Sequence, residues 1–319
     1  MKAAVRSKYG SSEVLRVEDI GKPTPKDNEV LIRIHAASVN RSDNHVLTGR
    51  PWLMRLFTGI FKPKLTITGS DFAGQIEAIG SSVSSFKVGD KVMGFGGGFG
   101  IGSHAQYISY RETKRIVTMP DHITYEQAAA CLEGAYYAAM GIMQLKPEAG
   151  QKAMVYGATG AIGSAYVQFL KYYGVYVTAV CAAENKELVK SWGADKIIDY
   201  KTEDFTKDDE QYDFIIDAVG KSSFVKCKPL LKKNGLYTSS GGAENLFWVF
   251  FTQLRGGKKV LFPKDYKGTL GFIRELLEKG NFKPVIDRIY PIEKIAEAFT
   301  YVATGQKIGN VIITMDGHA

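Results

Sequence analysis

Three glycines spaced three residues apart are the strongest sign of chemistry in this sequence. Gly157, Gly160 and Gly163 lie in the stretch VYGATGAIGSAYVQF (155–169), after an apolar run and before an amphipathic one. A glycine pattern between a strand and a helix indicates a dinucleotide-binding turn. The glycines allow a tight turn, admit a pyrophosphate and let helix and strand pack closely. A turn that serves packing alone is the alternative, and the flanking pattern favours the cofactor.

The next strand bears on which nicotinamide dinucleotide fits. An NAD site usually carries an Asp or Glu about 20 residues after the turn, bonded to the ribose 2′-hydroxyl. Here the strand VYVTAV (175–180) ends without an acid at its tip, and Glu184 and Lys186 follow. A missing acid removes repulsion toward a 2′-phosphate, and Lys186 can pair with one. NADP(H) is therefore favoured and NAD(H) stays possible; a solvated lysine in a first helical turn is the alternative for Lys186.

Alternating strands and helices position this turn. Strands are predicted at 152–157, 175–180, 195–200, 212–220 and 235–240, and helices at 164–174 and 185–194. This alternation predicts a parallel, doubly wound sheet with right-handed crossovers. Residues 1–120 read instead as mostly β-strand with glycine-rich turns. An alanine-rich helix is predicted over 124–144, where Thr124 can cap with Gln127 three residues on.

Length and composition limit the classes of protein. A chain of 319 residues exceeds one ordinary core, so two domains are expected. The net charge of +8 comes from basic residues that stand singly or in pairs, which favours scattered solubilising charge over nucleic-acid binding. Three separated cysteines form no Cys-x-x-Cys pair, so a reducing, cytoplasmic location is expected. The N-terminal residues show no secretory signal, and the apolar stretch 245–251 is too short to span a bilayer.

Taken together, the segments resemble one known family over nearly the whole chain. They are GSDFAGQIEAIG, FKVGDKVMGF, GATGAIG, WGADKIIDY, FIIDAVG and KPVIDRIYPIEKIAEAF. They are similar to the medium-chain dehydrogenase/reductase superfamily, most closely its zinc-independent quinone oxidoreductase branch. The resemblance implies an α/β fold: a Rossmann doubly wound parallel sheet plus a GroES-like, β-barrel-type catalytic domain. It places the catalytic domain at 1–122, completed by 282–319, and the Rossmann domain at 123–281. It also implies a homodimer.

The same resemblance addresses zinc residue by residue. Zinc alcohol dehydrogenases of the superfamily carry a ligating Cys where this chain has Asn40 and a Gly-His-Glu where it has Gly69-Ser70-Asp71. Their further Cys on the linking helix is matched by Ala135. A catalytic zinc needs three protein ligands with an open fourth position. We therefore expect no zinc, and no metal-assisted alcohol oxidation.

Without a Lewis acid, hydride transfer from NADPH to a quinone or an α,β-unsaturated carbonyl is the expected reaction, since such acceptors need only hydrogen-bond donors at the developing oxyanion. The stretch NRSDNH (40–45) supplies the candidates. Asn40 can donate to the acceptor oxygen, Asp43 can orient its neighbours, and His45 can donate a proton near neutral pH. A surface histidine and a structural aspartate are the alternatives for His45 and Asp43.

Cofactor contacts are carried over from the resemblance alone. They are Thr159, Gly160, Ala161, Ile162, Gly163, Lys186, Tyr200, Val219, Ser240, Gly241 and Asn310. An ordinary strand-end tyrosine is the alternative for Tyr200. Two other functions stay open: a catalytically silent NADP(H)-binding sensor, and an alcohol dehydrogenase-like enzyme of the same superfamily.

Two bulky apolar stretches, 50–64 and 244–257, depart from a compact quinone reductase. Either is suited to line a pocket for a large apolar acceptor. Core or dimer contacts are the alternatives, with core the default for apolar stripes. Peripheral membrane docking is a third alternative.

Overall fold

A computed structural model of the chain describes residues 1–241, 243–253, 257–262 and 264–315. The strands, numbered along the chain, are β1 Lys2–Val5, β2 Arg16–Asp19, β3 Glu29–Val39, β4 Asp71–Ile79, β5 Lys91–Phe95, β6 Tyr107–Arg111, β7 Ile116–Thr118, β8 Lys152–Tyr156, β9 Tyr176–Cys181, β10 Lys196–Asp199, β11 Tyr212–Asp217, β12 Leu231–Ser239, β13 Lys259–Leu261, β14 Ile286–Pro291 and β15 Asn310–Thr314. The α-helices are α1 Arg41–Thr48, α2 Arg55–Thr58, α3 Tyr125–Ala130, α4 Glu133–Leu145, α5 Ala161–Tyr172, α6 Lys186–Ser191, α7 Phe224–Cys227, α8 Ala243–Gln253, α9 Thr269–Glu278 and α10 Ile295–Ala303. Short 3₁₀ turns lie at Ser12–Val14, Trp52–Met54, Ala183–Asn185, Phe205–Lys207, Lys228–Leu230 and Ile292–Lys294.

The chain divides into two compact units. The first comprises Met1–Glu133 and Pro284–Ala319, and the second comprises Gly134–Lys283. The sequence placed the first boundary earlier, at 122/123. The difference arises because α3 packs on the sheet of the first unit, where the ring of Tyr125 stacks on His35 with centroids 4.2 Å apart. The second boundary differs by two residues, 283/284 instead of 281/282.

The first unit is built around the long strand β3. The sheet order is β14-β15-β3-β4-β5-β7, with β6 also paired to β3. One edge of β3 pairs with β6 through Glu29–Arg33 and with β15 through Ala36–Val39, while the other edge pairs with β4. The C-terminal segment therefore supplies β14, β15 and α10 to this unit. Its core buries alternate side chains of these strands and the apolar face of α10.

The second unit contains a six-stranded parallel sheet in the order β10-β9-β8-β11-β12-β13. This confirms the doubly wound α/β arrangement predicted from the alternating pattern. The strand order reverses between β8 and β11, and ligands of open parallel sheets bind at the carboxyl ends of the strands at such a switch point. Apolar side chains of β8, β11 and β12 form its core with Phe224 and Leu230.

The alanine-rich stretch forms two helices rather than one. Thr124 caps α3 as predicted, with its side chain accepting from the Gln127 N–H at 3.2 Å and the Gln127 side chain bonded back to the Thr124 N–H. The helical path is interrupted at Cys131 and Leu132, after which α4 begins at Glu133. Within the residues given above, no helix is long and apolar enough to cross a membrane.

Candidate functional site

The glycine turn joins β8 to α5 in the second unit. Gly157 has φ +80°, which favours glycine, and its N–H donates to the Val180 carbonyl at 3.0 Å. Gly160 is the N-cap of α5 in an extended conformation, φ −71° and ψ 170°, and no side chain caps the helix. The first N–H groups of α5 therefore face outward at the positive end of the helix dipole, the arrangement that binds phosphate.

The three glycines differ in what a side chain would meet. A Cβ at Gly157 would lie 2.4 Å from a methyl of Val219, and one at Gly163 would lie 2.2 Å from the Gly157 carbonyl oxygen. A Cβ at Gly160 would meet nothing closer than 3.6 Å, again the Gly157 oxygen. Packing within the unit thus requires Gly157 and Gly163 but leaves the space above Gly160 open. An open backbone surface at the helix N-terminus fits a pyrophosphate.

A cavity of about 420 Å³ opens beyond the carboxyl ends of β8 and β11. The rings of Tyr156 and Phe205 stack in it, with centroids 4.8 Å apart and planes 24° from parallel. Its lining residues are Tyr156, Asp204, Phe205, Thr206, Lys221, Ser222 and Lys226. Aromatic walls with nearby ammonium groups suit a flat ring that carries phosphate. None of these seven residues is among the cofactor contacts expected from the sequence.

Buried Asp217 shapes the loop after β11 that carries Val219. Its carboxylate accepts from the N–H of Gly220 at 2.8 Å and of Ser222 at 2.7 Å. The N–H of Ser240 donates to the Asp217 carbonyl at 2.9 Å, which sets the loop after β12 beside it. The expected contacts at Val219, Ser240 and Gly241 therefore lie on two neighbouring loops at the carboxyl edge of one sheet.

Charged groups at the tips of β9 and β10 form an arrangement that the sequence reasoning missed. The Lys201 ammonium lies 2.5 Å from the Glu184 carboxylate, and this contact holds the pKa of Glu184 below its ordinary value. The N–H of Tyr200 donates to the Cys181 carbonyl at 3.3 Å, so Tyr200 lies at this edge as well. Lys186 is exposed at the first position of α6. The charge of Glu184, two residues before Lys186 in the chain, is countered by Lys201.

The NRSDNH stretch of the first unit leads into a buried polar cluster. The Ser38 N–H and hydroxyl both donate to the Asp71 carboxylate, the N–H at 2.7 Å. The Asn40 amide donates to the Ser38 hydroxyl at 2.5 Å and to Asp71 at 3.3 Å, while the Asn40 N–H donates to Asp43 at 2.8 Å. The side-chain amide of Asn40 is thus engaged inside the unit, and Asp43 closes the capping box of α1.

Glu133 extends this cluster from the start of α4. It accepts from the Ser42 hydroxyl at 2.6 Å and from the Ser70 hydroxyl at 2.9 Å. Lys307, far along the chain, contributes a positive charge that acts on Glu133. The sequence analysis identified neither Glu133 nor Lys307 as a functional residue. For Glu133 a signal was present, since a single carboxylate inside the apolar run AAACLEGAYYA is unusual.

Burial raises the pKa values of the carboxyl groups in this cluster. Desolvation raises the pKa of Asp71 to about 7 and raises the pKa of Glu133. Burial first, and then the charges of Glu133 and Asp71, raise the pKa of Asp43 well above its ordinary value. Burial lowers the pKa of the Lys307 ammonium to about 8. Groups poised this way can take up or release a proton in the physiological range.

The structure gives His45 and Asn310 surroundings that the sequence did not indicate. His45 is half-buried on α1, and desolvation with the nearby Arg41 charge lowers its pKa below the ordinary 6.5, so it is neutral at pH 7. At pH 7 the protonated imidazolium form of His45, which the predicted proton transfer needs, is therefore the minor form. The Asn310 side-chain amide donates to the Val285 carbonyl at 3.0 Å within the first unit.

The expected zinc positions carry no metal ligand set. Asn40 and Ser70 are hydrogen-bonded into the cluster, and Ala135 has no ligating group. Across the described part of the chain, no three His, Cys, Asp or Glu side chains are arranged to hold a metal ion.

Comparison with known proteins adds the family. The family model of the alcohol dehydrogenase GroES-like domain matches residues 26–121, and that of zinc-binding dehydrogenases matches residues 192–313. The chloroplast envelope quinone oxidoreductase homolog of Arabidopsis thaliana is 31% identical over 98% of this chain and 98% of its own length. The chloroplastic NADPH-dependent alkenal/one oxidoreductase of the same plant is 31% identical over 98% of this chain and 79% of its own.

A solved quinone oxidoreductase from Coxiella burnetii shares the fold, with a TM-score of 0.89 at 24% identity and 99% coverage of both chains. A parallel sheet with an uncapped glycine turn, together with a mixed-sheet unit, defines the class of two-domain dehydrogenases and reductases. The chain belongs to the medium-chain dehydrogenase/reductase superfamily, in its quinone-oxidoreductase-like branch. The resemblance seen in the sequence is confirmed.

Proposed function

We propose that this protein is an NADPH-dependent oxidoreductase that reduces quinones or α,β-unsaturated carbonyls. The observation that carries the proposal is the open backbone surface at Gly160. Packing within the unit does not require a glycine there, because a Cβ at this position would meet nothing closer than 3.6 Å. The named relatives are a quinone oxidoreductase homolog and an NADPH-dependent alkenal/one oxidoreductase, whose names point to these two classes of acceptor. Bound NADPH supplies the hydride. The test is cofactor oxidation with a quinone and with an enone, each compared between NADPH and NADH.

The chain's own residues take the remaining roles. Gly160 and the N-terminus of α5 would hold the pyrophosphate of bound NADPH, and the cavity lined by Tyr156 and Phe205 would take its adenosine end. Lys201 neutralises Glu184 and Lys186 is exposed beside it, so the strand tips tolerate a 2′-phosphate. Reduced acceptors need a proton at oxygen or carbon, and the buried carboxyl of Asp71, with its pKa raised to about 7, can hold a proton near neutral pH.

Zinc independence is part of the proposal. It is supported by the chemistry at the three positions where zinc enzymes of the superfamily carry ligands, which hold Asn40, Ser70 and Ala135. Elemental analysis of the purified protein is the test. Stoichiometric zinc, together with loss of turnover on chelation, would overturn this part of the proposal. Turnover that survives chelation supports it.

A second candidate is a silent NADP(H)-binding sensor. It is favoured by one observation: the Asn40 amide is engaged by Ser38 and Asp71, so the predicted donor to the acceptor oxygen is not free. Tight NADPH binding without turnover across quinones and enones is the result that favours the sensor. Steady turnover with any of them discards it.

We also propose a homodimer through the β13 edge of the second unit. In the described sheet β13 pairs on one side only, with β12, which leaves a strand edge. On α8, Trp248 packs inward while Phe247, Phe250 and Phe251 are exposed, Phe250 by 74%. Residues 254–256 of the predicted stretch 244–257 lie outside the described residues.

Sedimentation of the wild-type chain and of Phe250→Asp tests the dimer. A dimer that the substitution converts to a monomer supports it, and a wild-type monomer contradicts it. A cytoplasmic location belongs to the same proposal, supported by Cys131, Cys181 and Cys227, which are all buried free thiols.

A further inference from the structure

Residues 50–65, called here the 50–65 surface, are built with polar groups inside and apolar groups outside. The Tyr9 hydroxyl lies 2.8 Å from the Thr58 hydroxyl and donates to the Gly59 carbonyl at 2.6 Å. The Arg55 guanidinium lies over the Tyr9 ring, 4.6 Å from its centroid. These contacts anchor the segment to the first unit through polar groups. Its large apolar side chains are left mostly exposed.

Those apolar side chains face solvent. Phe61 is 93% exposed and Trp52 66%, and the Phe57 ring packs on exposed Phe99 with centroids 5.3 Å apart. The exposed apolar residues of the segment are Trp52, Leu53, Leu56, Phe57, Ile60, Phe61 and Leu65. A concentration of this kind is unusual on a soluble monomer and marks a surface that is covered by something. The default interpretation of 50–64 as core is wrong for these side chains.

The charge of the segment indicates what covers it. Residues 44–70 contain Arg50, Arg55, Lys62 and Lys64 and no acidic residue. Arg50, Lys62 and Lys64 are exposed beside the apolar groups. Cations bordering exposed Trp, Phe and Leu are the composition of surfaces that lie in the headgroup region of anionic bilayers. A two-fold contact with a second copy would instead place the same positive surface against itself.

We propose that the 50–65 surface docks the protein on an anionic lipid bilayer. Trp52, Phe57 and Phe61 enter the headgroup region, and Lys62 and Lys64 contact lipid phosphates. Tryptophan and phenylalanine are suited to this depth because their rings are apolar and large. The docking is peripheral, since the segment comprises only short helices. It does not depend on the nature of the hydride acceptor.

The experiment is co-sedimentation of the full-length chain, without cofactor or acceptor, with phosphatidylcholine vesicles and with mixed phosphatidylcholine/phosphatidylglycerol vesicles. The expected result is binding to the mixed vesicles that weakens as salt rises. Lys62→Glu/Lys64→Glu should lower the affinity by about tenfold or more, given roughly a fivefold contribution per basic residue near the surface. Trp52→Ser/Phe57→Ser/Phe61→Ser should abolish binding while leaving the fold intact, because the side chains are exposed.

The matched control is Lys26→Glu/Lys87→Glu. Both lysines are exposed and lie by the carboxyl end of β4, where Ser82 bonds to Asp27 and Gly89 bonds to Ile76. Residues 50–65 come shortly before Asp71 in the chain, where β4 begins, which is the opposite end of that strand. The control variant should bind like the wild type. The proposal is overturned if the wild type does not bind the mixed vesicles. It is also overturned if the variants of the 50–65 surface bind them as tightly as the wild type does. Self-association that the same variants abolish overturns it as well, in favour of a second copy.

Discussion

Replacing Gly160 with alanine separates a cofactor contact from a packing contact. The new Cβ lies 3.6 Å from its nearest neighbour, and the backbone at φ −71° and ψ 170° accepts any residue. The loss of stability should be within about 1 kcal/mol, the cost of alanine at a helix N-cap. The same Cβ occupies the space that the pyrophosphate needs. NADPH affinity should fall at least tenfold, which is about 1.4 kcal/mol.

Two matched glycine-to-alanine variants complete the test. Gly163→Ala places a Cβ 2.2 Å from the Gly157 oxygen, so it should destabilise the fold by about 1–3 kcal/mol. Gly271→Ala, in α9 with nothing within 4 Å, should change neither binding nor folding adversely. Calorimetric titration with NADPH and urea unfolding give both quantities for each variant. Normal NADPH affinity in Gly160→Ala would refute this account of the turn.

Three further predictions concern ionisable groups. Asp71 has an ordinary pKa of 3.8 and a folded pKa of about 7, so between these values the folded state binds more protons than the unfolded one and stability falls as pH rises. Asp71→Asn should remove this fall in the free energy of unfolding, which is at most roughly 4 kcal/mol over about three pH units. The measurement is urea unfolding of the wild type and of the variant across this pH range. The same dependence of the unfolding free energy on pH in the two proteins would contradict the prediction. Lys201→Ala should weaken NADPH binding more than NADH binding, because Glu184 is then uncompensated. Lys186→Ala should do the same, and equal effects on both cofactors would show that Lys186 does not read the 2′-phosphate.

The second unit was largely predictable from the sequence because its signals are local. The turn glycines, the strand before them and the helix after them follow one another within 152–172, and each boundary has its own residue pattern. Parallel strands buried on both faces also give continuous apolar runs. The succession of strands and helices and the glycine turn therefore follow from short-range information, whereas the order of the strands in the sheet comes from the structure.

The buried polar cluster was not predictable in the same way. Tertiary packing brings together residues from most of the chain, namely Asn40, Asp71, Glu133 and Lys307. Their spacing in the sequence does not indicate that they form a cluster. The expected roles of Asn40 and His45 came from their types alone. Burial then changed both, by engaging the Asn40 amide and by lowering the pKa of His45.

The 50–65 surface shows a different limit of sequence reasoning. An apolar stripe usually indicates core, because burial of such side chains is the main favourable term in folding. Here the polar contacts of Tyr9 and Arg55 hold the segment, and the apolar side chains stay outside. The composition shows that these side chains are large and apolar, but it does not show whether they face the core or the solvent.

Steady-state oxidation of NADPH and NADH by the purified protein, with a quinone and with a simple enone, tests the central claim most directly. The absorbance of the reduced nicotinamide should fall only when an acceptor is present, and faster with NADPH than with NADH. Tight NADPH binding with no oxidation by either acceptor class would contradict reductase activity and favour the sensor.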